Sequence, residues 1–75
     1  MININTTKLN NNLTIYTTKI EDGSFNFTGL YETIALLANG DELGCVRCDN
    51  ECDAKINHYQ MAGKLARYYI ASEAF

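Results

Sequence analysis

The chain has no proline, no tryptophan, a single histidine, and only six basic residues against nine acidic ones. Each shortage excludes something. With a formal charge of −3 and no basic stripe, direct binding of nucleic-acid phosphates is not expected. No run approaches the roughly 18 apolar residues that a membrane helix needs, so no membrane partner is expected. The N-terminal residues 1–6 offer neither a basic stretch nor an apolar one, which speaks against a secretory signal and makes the cytoplasm the expected compartment. The Asn-x-Thr triplets at Asn5, Asn12 and Asn26 then reflect an Asn- and Thr-rich composition. Three cysteines cannot close a disulfide framework. One histidine, no recognisable nucleophile setting and no glycine-rich phosphate loop leave catalysis with little support.

What is present suits a small folded protein. Seventy-five residues make one domain, 1–75, and 47% of them are hydrophobic. A chain this short buries roughly 60% of the surface that its unfolded form exposes, so its core is thin. A metal ion, an oligomer or a partner is a common supplement at this size.

Residues 13–20 are rich in β-branched and aromatic side chains and predict a strand, with Leu13 and Ile15 on one face and Tyr16 and Ile20 on the other. Asp22-Gly23 signals a tight turn, and residues 25–27 alternate as a return strand should, with Gly29 marking a bulge or break. Residues 30–37 suit either a short helix or a strand. Asn39-Gly40 favours the strand, because it is a hairpin turn leading into a second strand at 42–48. The first ten residues read as an edge strand.

From Glu51 to about Ala74 the period lengthens to that of a helix, with Asp49 or Asn50 as N-cap and Glu51 and Asp53 at the positive end of the dipole. Cys52, Ile56, Tyr59, Gly63, Ala66 and Ile70 recur at three- and four-residue steps and form the expected inward stripe. Gly63, beside Ala62 and Ala66, would then let the helix lie close to the sheet. The expected fold is therefore α+β: a small antiparallel sheet of three to four strands with one long C-terminal helix across a face.

Three groups of side chains merit weighing as sites. Cys45, Cys48, Cys52 and His58 are ligand types that zinc prefers. Their spacing matches no common finger, a strand would point Cys45 and Cys48 to opposite faces, and the helix would separate Cys52 from His58. Three ordinary thiols and a surface histidine are the expected reading, with no cofactor. A second helix stripe, His58, Met61, Leu65 and Tyr68, is either the margin of a wide buried face or a contact surface. The acids Asp41, Glu42, Asp49, Glu51 and Asp53 form either a solvated loop and helix start or a surface aimed at a basic partner.

In size, acidity, sheet-plus-helix plan and lack of an active site, the chain resembles small phage-encoded inhibitors, including anti-CRISPR proteins. That resemblance implies a non-catalytic protein that binds and blocks a larger protein or ribonucleoprotein complex. The alternatives are a homodimeric structural or adaptor module joined through the second helix stripe, and a zinc-stabilised module using the Cys/His set.

Overall fold

A computed structural model describes residues 2–21 and 27–67 of the chain. The fold is α+β. Four strands, β1 (Ile2–Asn10), β2 (Leu13–Glu21), β3 (Phe27–Leu37) and β4 (Glu42–Cys48), precede one helix, α1 (Glu51–Leu65). The strands form an antiparallel meander in the order β1-β2-β3-β4. Among the described residues, no helix is long and apolar enough to cross a membrane.

The turns follow from their side chains. Between β1 and β2, the Asn10 side-chain oxygen accepts the Asn12 backbone N–H at 2.8 Å, an Asx turn. Between β3 and β4, Gly40 takes φ +94°, a conformation that costs glycine little, and its N–H donates to Leu37 O. Asn39 Oδ1 accepts the Asp41 N–H beside it. Residues 30–37 are thus strand, as the Asn39-Gly40 signal indicates. β3 begins at Phe27, and its register with β2 slips between Ile20/Leu30 and Glu21/Phe27, an irregularity that contains Gly29. The Asp22-Gly23 turn and residues 25 and 26 lie outside the described residues.

The helix starts where the sequence indicates. Asn50 is the N-cap, its side chain accepting the Asp53 N–H at 2.8 Å, and Glu51 and Asp53 lie in the first turn. Ala66 and Arg67 continue the coil as a wider turn. Expected helix beyond that, including Ile70, falls outside the described residues.

One face of the sheet carries the core. Leu13, Ile15 and Thr17 of β2 and Tyr31, Thr33 and Ala35 of β3 are all buried, in strict alternation. Leu13, Ile15 and Ala35 form its apolar centre, with Leu9, Leu37, Leu43, Met61, Ala62 and Leu65 packed around them. The other face, which carries Tyr16, Ile34 and Cys45 in register across three strands, has no helix over it among the described residues.

The orientation of α1 differs from the expected one. Cys52 is exposed, as are Ile56 (47%) and Tyr59 (68%), while Ala54 and His58 are completely buried. The inward stripe is Ala54, His58, Met61, Ala62 and Leu65. At 100° per residue its centre lies about 140° round the helix from the stripe through Ile56 and Tyr59. Both stripes carry large apolar residues, so hydrophobicity alone leaves the phase of the helix undecided. The sheet decides it, because its inward face presents hydroxyls as well as hydrocarbon, and His58 answers them.

The role expected of Gly63 is not seen: a Cβ on Gly63 would meet nothing within 4 Å. Gly44 on β4 is the glycine that faces the helix, where a Cβ would lie 3.6 Å from the Met61 terminal methyl, in ordinary contact.

Two stability measurements check this packing. Ile15→Ala should cost about 2–5 kcal/mol in urea unfolding, whereas Ile56→Ala should stay within about 0.5 kcal/mol of wild type. Equal losses at the two positions would refute the orientation of α1. Gly63→Ala should stabilise the protein by about 0.5–1 kcal/mol, since it relieves a helix-interior glycine without meeting a neighbour.

Candidate functional site

The only histidine sits at the centre of a buried polar chain. His58 Nε2 lies 2.7 Å from Thr7 Oγ1 on β1, and Nδ1 lies 2.8 Å from Thr17 Oγ1 on β2. Thr17 Oγ1 in turn lies 2.7 Å from Thr33 Oγ1 on β3. A hydroxyl can either give or take a hydrogen bond, so a neutral ring is satisfied with the proton on either nitrogen. No buried side-chain polar atom among the described residues is without a partner. Tyr31 and the Lys19 ammonium, 5.7 Å from its ring centre, mark the next cross-strand pair beyond Thr17 and Thr33.

His58 is therefore not a surface residue, and its burial reshapes two of the expected sites. Both ring nitrogens are engaged by threonine, so it is not free to bind zinc. Cys45 and Cys48 pair with Ile34 and Tyr31 respectively, on opposite faces of the sheet, and Cys52 is exposed on the helix. Among the described residues no group of three or more His, Cys, Asp or Glu side chains is placed to hold a metal. Cys45 is a poor nucleophile as well: desolvation, then the Glu32 and Glu42 carboxylates, push its thiol up, with Arg47 acting the other way.

The second expected contact stripe is likewise divided. Met61 and Leu65 are half-buried against the core, with only their margins reaching the surface, and Tyr68 lies outside the described residues.

The five acids remain at the surface, but as two clusters. Asp41 and Glu42 stand at the start of β4; Asp49, Glu51 and Asp53 stand beyond its end, around the helix N-terminus. The strand between them spans about 20 Å at roughly 3.4 Å per residue. Asn50 organises the second cluster, its amide nitrogen donating to Asp49 Oδ1 (3.1 Å) and Asp53 Oδ2 (2.9 Å). Arg47 is occupied by Glu32 at 2.9 Å on the opposite face of the sheet.

Between the clusters, where α1 passes over β4, runs an open groove of about 410 Å³. Its apolar lining comes from Leu43 and Val46 of β4 and Met61 and Leu65 of α1. Asn57, Gln60 and Lys64 form its helix wall, and Asp53 continues that row at helical spacing toward the N-terminus. This groove was not expected from the sequence. Its signal was the conjunction of Gly44 on an edge strand with the four-, three- and four-residue spacing of polar residues on the helix.

No known protein family, curated protein or solved structure matches this chain.

Burial holds the His58 imidazole below its ordinary value of 6.5. The folded state thus refuses a proton that the unfolded state accepts, and stability should be complete above about pH 6.5 and decline as the pH falls toward the depressed folded-state value. Unfolding free energies from urea titrations between about pH 7.5 and 5.5 should fall for the wild type by up to about 1.4 kcal/mol per pH unit, and hold nearly level for His58→Gln. Parallel curves for the two proteins would exclude His58 as the source.

Proposed function

We propose that the protein is a non-catalytic binding module that docks on a larger protein or ribonucleoprotein complex and blocks it, as small phage-encoded inhibitors of the anti-CRISPR type do. The observation that carries this reading is the β4–α1 margin, where an apolar groove lies between two exposed acidic clusters. A surface with an apolar centre and a charged rim is the usual anatomy of a protein contact. The interior is consistent with the same reading, since the single histidine is buried and held by threonines rather than presented to a ligand. On this reading the protein works in the cytoplasm, that of the host if a phage encodes it.

A homodimeric module joined through His58, Met61, Leu65 and Tyr68 has less to recommend it, because His58 is buried and so breaks the stripe, leaving Met61 and Leu65 half-buried as part of the groove. The exposed pair Ile56 and Tyr59 is the better candidate for any helix-mediated contact.

Tagged protein incubated with extract of the native host should retain a complex whose activity it inhibits at stoichiometric ratio. Asp49→Lys combined with Glu51→Lys should weaken that complex at least about tenfold, and raised salt should do the same to the wild type. Binding that withstands both treatments would remove the acidic rim from the interface.

A further inference from the structure

We propose that the groove between β4 and α1 receives an extended, basic-flanked segment of a partner protein, added as a fifth strand along β4. This rests on the binding-module reading above and gives the partner its chemistry. β4 is last in the sheet order, so its outer backbone edge faces no strand among the described residues. An edge of this kind offers a row of N–H and C=O groups to an incoming strand. The groove lies beside that edge and supplies what strand addition needs besides backbone pairing, a place for alternate side chains. Val46 is 42% exposed there, and Leu43, Met61 and Leu65 complete an apolar floor.

Charge decides the occupant. Near the start of β4, Asp41 and Glu42 outnumber Lys64; beyond its end, Asp49, Glu51 and Asp53 outnumber Lys55, Arg47 being held by Glu32. If a second copy paired antiparallel along β4, each end of the joint would bring these five acids together with two lysines. Like charges at both ends oppose that pairing. A strand with apolar residues at alternate positions and lysine or arginine at its ends meets opposite charge at both. The two acidic clusters thus bar self-association at the open edge and favour a basic-ended strand.

The probe is a nine-residue peptide of alternating valine and threonine with two lysines at each end. It is titrated into the wild-type chain while backbone amide resonances are followed. Saturable shifts are expected at Leu43, Gly44 and Val46 and at Asn57 and Met61. Replacing the terminal lysines with glutamates should weaken binding at least about tenfold, and proline at alternate central positions should abolish it. Val46→Lys, at an exposed position, should also abolish it in a protein whose circular dichroism is unchanged. Shifts confined to the acidic loops or to β1, or equal binding by the proline peptide, would overturn the proposal. If the peptide fails while the Asp49/Glu51 charge reversal still weakens the captured complex, strand addition is refuted and the binding-module reading stands. If host extract yields no captured complex at all, the binding-module reading falls as well.

Discussion

The contact on which this architecture turns is the one between a single imidazole and two threonine hydroxyls, the second of which holds a third. It joins β1 and β2 directly to the helix, and β3 through Thr17; His58, Thr17 and Thr33 are fully enclosed, and Thr7 is half-buried at the end of the chain of hydrogen bonds. Each such bond is worth only about 0.5–1.5 kcal/mol net, but an unmade one would cost about 1–3 kcal/mol. The asymmetry makes the network a selector. A helix rotated to present Ile56 and Tyr59 would also bury hydrocarbon, yet it would take the imidazole away from Thr17, which is almost fully enclosed with Thr33. The observed rotation satisfies the hydroxyls and still places Met61, Ala62 and Leu65 over Leu13, Ile15 and Ala35. The interior therefore has two halves, polar under the first turns of the helix and apolar under the last.

Much of the backbone was legible in the sequence. Strand alternation at Leu13 and Ile15, the Asn39-Gly40 hairpin, the boundaries of β4 and the Asn50 cap all rest on local rules, and local rules suffice for elements. The rotation of α1 was not legible, because it depends on a pairing between a helix residue and strand residues 41 and 51 positions distant. Thr17 and Thr33 read as ordinary strand formers, and nothing in their neighbourhood announces that their hydroxyls will face a histidine. The lone histidine, on the second stripe and expected at the surface, was the clue.

The same limit governs the candidate site. The acids were recognisable as a group, but their division into two clusters follows from β4 lying extended between them. The groove forms where Gly44 of β4 lies beside Met61 of α1, a relation between two elements that neither declares alone. Exposed charge can be read from composition; concavity cannot.

The neighbour-to-neighbour order of the meander has a kinetic consequence. Each strand pairs with the one that precedes it in the chain, so the sheet assembles by successive hairpin closures with little loop entropy to overcome. The imidazole, arriving from α1, must find hydroxyls on β1 and β2 already in register, with Thr17 also paired to Thr33 of β3. Helix docking is in this sense the proofreading step of folding: a sheet slipped by one residue would turn Thr17 and Thr33 to the wrong face and leave His58 nothing to hold.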